Sequence, residues 1–427
     1  MTIASFLNSL GLGGTEKAAC RWAWGLRERG HRVVLLTLQD GPRRTELEQH
    51  GVEARVVEAS ASAIAKRLRQ IAPEAIHAHA PGDPHAGDVL GEALALLPKI
   101  PVVQSNIFGH LINPKEDAWT DFRLFISWIS CVQAAQRAFQ RLDENFFRRA
   151  SVAVYPVDTV NLPPLADIVA FRERQGVAEN EVLLGRLSRP DPVKWTPLAL
   201  DAFQLALRDN RALKLLLREP PPEVAARLRV SPDARHFIIL SATADPAELQ
   251  LTSAALDVVL HTSSIGESFG YGIAEPMNLG KPVITHSVPW QDQAQLELVR
   301  HGECGLVAST AATMAAAILR LSRDASLRRE MGLMAQRHIR SMADPSTSIS
   351  RVEHTLQAAA ERRDNPFSAE DLLRAKAAAA YLDAHQFGHT LGEQVALRPL
   401  AYRVRFQQFR QAIGFRLASR HILTLPR

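Results

Sequence analysis

Several features that would assign a function quickly are missing from this chain. Only three cysteines occur in 427 residues, Cys20, Cys131 and Cys304. They are far apart and odd in number, which gives neither a metal-ligand spacing nor a disulfide framework and points to a reducing compartment. No apolar run approaches the roughly 18 residues of a membrane span; the longest, residues 124–132 (LFISWISCV), is too short. The N-terminus, MTIASFLNSLGLGG, lacks a basic leader and soon turns glycine-rich, so no signal peptide is expected. Acidic residues are absent from one region: Arg398 to Arg427 holds seven Arg and no Asp or Glu. Taking those seven from the formal net charge of +5 leaves −2 for the rest. A near-neutral body argues against a nucleic-acid-binding protein. A dinucleotide fingerprint is also incomplete. The loop Gly11-Leu12-Gly13-Gly14-Thr15-Glu16 has Glu16 where G-x-G-x-x-G requires its last glycine, which places nicotinamide binding low.

What remains is ordinary globular composition, with 46% hydrophobic and 22% charged residues, and a length sufficient for two or three domains. The organising stretch is residues 261–283, HTSSIGESFGYGIAEPMNLGKPV, preceded by the apolar run LDVVL. Strand, glycine-containing loop, helix and strand form an α/β unit with a parallel sheet, and ligands of such sheets sit at the carboxyl ends of the strands. Glu267 and Glu275 frame the loop eight residues apart, one before the helix and one within it, about two turns on if the start is helical. Between them Ser268, Phe269 and Gly270 offer backbone N–H groups at a helix N-terminus, an anion site. Carboxylates beside an anion site suit a phosphorylated sugar, with amides for phosphate and carboxylates for hydroxyls. An isolated pair of Glu at this spacing would be a solvated surface.

The first strand, residues 3–10, runs into the glycine loop and a helix over residues 17–29, followed by a second strand at residues 32–37. The glycines bring backbone close to a substrate, or simply make a tight turn. In AIHAHA, residues 75–80, His77 and His79 share one strand face; with no third ligand at a convincing spacing no zinc site is expected. His79 reads equally as a pocket residue at the strand top or as a structural histidine. IPVVQS, residues 100–105, is another buried strand and leads to Asn106 and His110. In the second half, EVLL (residues 181–184) runs into GRLSRPDPVKW, where Arg186, Arg189 and Lys194 cluster before a helix over 197–208. Arg as a fork and Lys as a point charge suit a diphosphate, although scattered loop cations are usually solvated. Trp290, Asp292 and Gln293 fall in VPWQDQAQLELV, read as a capped surface helix in preference to a lining of the donor or acceptor side.

The string ESFGYGIAEPMNLGKPVI closely resembles the donor-binding segment of the family 4 (group 1) retaining glycosyltransferases. Gly13-Gly14-Thr15-Glu16 is similar to that family's G-G-x-E loop, Tyr155-Pro156-Val157-Asp158 to its domain-closing N-P-V-D turn, and Gly185-Arg186…Lys194 to its G-R…K motif. The resemblance covers roughly residues 1–345 and is weak between 110 and 155. It implies an α/β protein of GT-B architecture: two Rossmann-like domains facing across a cleft, residues 1–165 on the acceptor side and 166–345 on the donor side, with a helical C-terminal extension over 346–427. It implies a donor site of Gly13, Gly14, Arg186, Arg189, Lys194, Ser268, Phe269, Gly270 and Glu275. There Glu267 faces the sugar, the loop amides, Lys194 and one of the two arginines (Arg189 preferred) meet the diphosphate, and Glu275 holds the ribose. Glu16, His79 and His110 become acceptor or pocket candidates. The family's histidine after the strand at 100–105 is replaced by Asn106, which would hydrogen-bond a sugar hydroxyl.

The implied activity is transfer of a hexose-type sugar from a nucleotide-diphosphate sugar such as a UDP- or GDP-sugar to a glycan, lipid-linked or small-molecule acceptor. Configuration is retained by front-side attack, with no metal and no cofactor. A nucleotide-sugar epimerase on the same fold and a non-catalytic glycan-assembly scaffold are the rival readings. In residues 400–417, Leu400, Val404, Phe406, Phe409, Ile413 and Leu417 recur near helical spacing with Arg between them. Such a basic amphipathic segment lies on an anionic membrane surface or packs against protein. The expected location is cytoplasmic, with peripheral contact to the inner membrane face through residues 398–427.

Overall fold

The computed structural model describes residues 1–80, 87–108, 113–137, 141–187, 191, 194–365 and 367–403. Seven strands form the first sheet: β1 Thr2–Ser9, β2 Arg32–Gln39, β3 Glu53–Val56, β4 Ala75–Ala80, β5 Val102–Asn106, β6 Phe122–Phe125 and β7 Ala150–Val152. Their order is β3-β2-β1-β4-β5-β6-β7 and every pairing is parallel. The second half contributes β8 Val182–Leu187, β9 Leu213–Arg218, β10 Phe237–Leu240, β11 Val258–Leu260, β12 Gly266–Glu267, β13 Val283–Thr285, β14 Asp292–Gln293 and β15 Gly305–Val307. Six of them form a parallel sheet, β10-β9-β8-β11-β13-β15, while β12 and β14 pair separately. The apolar runs LDVVL, EVLL and IPVVQS fall on central strands because both faces of a parallel sheet are covered by helices, which removes the alternation of a half-exposed strand.

In each sheet the strand order reverses beside the first strand of the unit, between β1 and β4 and between β8 and β11. The crevice at such a reversal is where an open parallel sheet takes its ligand. The glycine loop follows β1, and the Lys194 loop and the Glu267 loop follow β8 and β11, so the three motifs gather at these two crevices. Helix Gly14–Glu28 starts at the glycine loop, buries Ala18, Ala19, Trp22, Ala23 and Leu26, and ends before Gly30, whose φ of +90° a Cβ would disfavour.

The largest apolar cluster is continuous through both halves and includes Trp22, Phe125 and Tyr155 from the first and Phe269, Ile273 and Leu298 from the second. After the second sheet the chain returns. Helix Pro345–Ala360 lies against the first sheet, where the Trp22 indole N–H donates to Ser348 Oγ at 2.8 Å. The C-terminal extension is helical. Helix Ala369–His385 packs on helix Trp128–Arg137 of the first half. A further helix, described over residues 391–403, docks back on the second half, where Glu393 accepts from Thr313 Oγ1 at 2.6 Å. No described helix is long and apolar enough to cross a membrane. Most of the Arg-rich segment, residues 404–427, lies outside the described residues.

Candidate active site

The second sheet builds the site from three loops. Arg186, at the end of β8, is 2% exposed. Its guanidinium lies 3.7 Å over the Trp195 ring and donates to Thr262 O at 3.0 Å and to Lys194 O at 3.4 Å. Burial lowers it to about 10. Arg186 is thus turned inward, fastening the Lys194 loop to the loop after β11. Lys194 Nζ is left pointing at Glu267, 3.0 Å from Oε1 and 3.1 Å from Oε2. Arg189, preferred for the diphosphate from sequence, lies outside the described residues.

Glu267 stands on β12, a two-residue strand ahead of the helix, which begins at Tyr271 and carries Glu275, as the sequence reading expected. The strand forms because of Gly266. Its φ is +63°, and a Cβ there would sit 1.8 Å from Asp292 O, so the chain crosses β14 at a distance only glycine permits. Besides Lys194, three hydrogen bonds hold the residue. Glu267 N–H donates to Gln295 Oε1 at 3.0 Å, Ala294 N–H donates to Glu267 O at 2.8 Å, and His261 Nε2 lies 3.2 Å from Glu267 Oε1. His261 Nδ1 lies 3.0 Å from Thr285 Oγ1, which suits an imidazole donating to the carboxylate and accepting from the threonine. Burial would raise the Glu267 carboxyl, but Lys194 and His261 overcome it and hold it down at about 2. His261 and Gln295 are supports the sequence reading did not assign. Their one visible signal is His261 standing directly after an apolar strand. The reading of residues 288–299 as a surface helix is corrected as well: Asp292 and Gln293 are a buried strand, 1% and 0% exposed, recruited by β12, and only the short helix Gln295–Leu298 follows.

Ser268, Phe269 and Gly270 lead into helix Tyr271–Asn278, with Gly270 at φ +109°. The Ser268 hydroxyl donates to the Asp292 carboxylate. The Phe269 ring is buried against Tyr155 and Tyr271, so only its backbone can meet a ligand. Among the described residues the N–H groups of 268 to 272 have no acceptor within the chain. Orphan amides at a helix start carry partial positive charge and fit an anion.

The first half faces this loop. Gly13 caps helix Gly14–Glu28, and a Cβ at Gly14 would lie 3.2 Å from the Tyr271 ring. Glu16 accepts from Ser9 Oγ at 3.0 Å and its carboxylate folds over Gly13, where a Cβ would meet it at 2.0 Å. Glu275, expected at a ribose, pairs with Lys17 across the two halves. Asn106 ends β5 at 1% exposure, in register with Ala80. His79 is a buried core residue, not a pocket wall: it is 2% exposed and stacks on Trp22 with ring centroids 5.8 Å apart. Burial keeps it well below the ordinary histidine value. His77 lies 4.2 Å from it, centroid to centroid, and among the described residues no group of three His, Cys, Asp or Glu side chains could hold a metal ion. His110 lies outside the described residues.

Two parallel-sheet units facing each other, with open loops at the carboxyl edges of their strands, are the architecture of the GT-B class. Residues 180–324 match the family described as glycosyl transferases group 1, and residues 13–161 match the glycosyl transferase 4-like domain. The chain belongs to the group 1 glycosyltransferases. Among solved structures, Anabaena Alr3699/HepE, described in complex with UDP and glucose, superposes with a TM-score of 0.70 at 21% identity, covering 84% of this chain and 100% of that one. A glycosyltransferase from Rickettsia africae gives 0.69 at 14% identity, over 84% and 98%. The sucrose-phosphate synthase of Thermosynechococcus elongatus gives 0.65 at 15%, over 83% and 97%. These likenesses establish the fold. No curated protein matches the chain.

Proposed function

We propose that the protein moves a hexose-type sugar from a nucleotide-diphosphate sugar to an acceptor with retention of configuration. The observation that carries this is the row of acceptor-free amides at 268–272 beside the Lys194–Glu267 pair. The relative described with UDP-glucose supports it. The bond from the sugar's anomeric carbon to the diphosphate oxygen breaks and a bond from the acceptor oxygen forms on the same face. The acceptor proton passes to the departing phosphate oxygen. Amides and the Lys194 ammonium stabilise the negative charge that collects on that phosphate. Glu267, ionised at every working pH, orients sugar hydroxyls, and Glu275 holds the ribose. No separate protein base is needed, which accommodates Asn106.

The acceptor in this reading is a glycan or lipid-linked saccharide, reached from an anionic membrane surface through residues 398–427. The helix leading into that segment leaves Leu391, Val395 and Tyr402 exposed, consistent with an apolar face flanked by arginine. Sedimentation with anionic but not zwitterionic vesicles tests this part.

The donor site is tested by thermal unfolding with UDP, GDP, ADP, dTDP and their sugar conjugates. A ligand that binds the native state raises its stability by mass action, so one diphosphate series should shift the transition and name the base. No shift with any of them overturns the reading.

A further inference from the structure

Helix Trp128–Arg137 belongs to the first half, yet its start is stitched to the donor loop of the second. Ser130 Oγ, on a residue 0% exposed, donates to Ser268 O at 3.1 Å. It accepts in turn from Ser127 Oγ at 2.7 Å. One turn on, both ends of the Gln133 amide are engaged: Nε2 donates to Gln291 O at 2.9 Å, and Oε1 accepts from Gln293 N–H at 3.2 Å. That pair of bonds copies the edge of a strand and extends the small β12–β14 sheet on which Glu267 stands. Glu297 completes the joint by accepting from Ile129 N–H at 2.9 Å.

The Ser130 contact has a consequence fixed by peptide geometry. In a planar trans peptide the carbonyl and the following N–H point to opposite sides, and no peptide bond among the described residues is cis. Holding Ser268 O toward helix Trp128–Arg137 therefore sends the Phe269 N–H away from it. There it meets no acceptor among the described residues. Without the serine hydroxyl this peptide could rotate and turn its negative end toward the anion site.

We propose that Ser130 and Gln133 are positioning residues contributed by the first half to the second half's diphosphate site: Ser130 sets the peptide that presents Phe269 N–H, and Gln133 braces the strand pair that presents Glu267. This rests on the donor-site reading above. It makes the anion site complete only while the two halves are docked. Diphosphate binding and docking are then reciprocally linked.

The experiment compares full-length wild type with Ser130→Ala, Gln133→Ala and Thr355→Ala. The probes are the nucleoside diphosphate that gives the largest thermal shift and the corresponding nucleoside. Ser130→Ala should weaken the diphosphate about tenfold, the worth of one hydrogen bond to a charged group, with nucleoside affinity unchanged. Gln133→Ala should lower the transfer rate more than it raises the donor KM. Thr355→Ala removes a buried hydroxyl remote from this joint, which donates to Arg351 O at 2.9 Å; it should lower the unfolding temperature without changing the ratio of diphosphate to nucleoside affinity. If Ser130→Ala keeps the wild-type ratio, the positioning role is overturned while the donor site stands. If wild type binds no diphosphate, the donor-site reading fails and this inference with it.

Discussion

The Lys194 ammonium lies 3.0 and 3.1 Å from the two carboxylate oxygens of Glu267, so the groups predicted to meet the donor's diphosphate and its sugar are each other's partners. The pair bridges the loops after β8 and β11, and Arg186 locks the Lys194 loop from beneath through Thr262 O. Lys194 and His261 hold the Glu267 carboxyl ionised against its burial.

Replacing Lys194 removes a cation from the place where leaving-group charge collects. Lys194→Ala should lower the transfer rate by about 10²-fold or more, the cost of losing one well-placed electrostatic stabiliser, while the far-ultraviolet circular dichroism stays that of wild type. Steady-state kinetics on donor and acceptor measure it. A wild-type rate would remove Lys194 from the phosphate site.

Gly266 is where the loop depends on the absence of a side chain. Gly266→Ala combines a left-handed φ with a Cβ placed 1.8 Å from Asp292 O. The backbone strain alone costs about 1–3 kcal/mol, and relief requires β12 to part from β14. The variant should unfold at lower urea and lose nucleotide binding together. Binding at wild-type affinity would show that the β12–β14 pairing is not what sets the loop.

Glu297 gives the fold a pH dependence of determined sign. Burial pushes its carboxyl from 4.5 up to about 7, opposed by the N–H groups of Ile129 and Trp128 and by Arg300. Between those values the native state keeps a proton that the unfolded chain has released, so this group's contribution to stability falls as pH rises from about 4.5 to about 7. Glu297→Gln keeps an acceptor for the helix amides and removes the ionisation. Its urea midpoint should fall less steeply than that of wild type across this window. Equal slopes would contradict the assignment.

Local pattern revealed the elements whose residues meet their neighbours in sequence. The apolar runs gave β1, β8 and β11, and the glycine loop marked the start of helix Gly14–Glu28. The site motifs were legible because their residues cluster within single loops. What stayed hidden depends on distant partners. His79 belongs to the core because Trp22 from another element covers it. Asp292 and Gln293 form a strand because Gly266 lets β12 approach them. Arg186 turns inward because Thr262 and Trp195 receive it.

The sequence by itself determined two parallel-sheet units and the short segments at their carboxyl edges where an anion would be met, since strand hydrophobicity, glycine spacing and helix starts are properties of neighbouring residues. Only the tertiary structure decided that Lys194 faces Glu267, that His261 supports it, and that Ser130 of the first half holds a peptide of the second. Lys194 and Glu267 lie 73 residues apart and Ser130 and Ser268 138, so packing of the layers brings them together; His261 is six residues from Glu267, and the turn at Gly266 folds the chain back so that the two side chains meet.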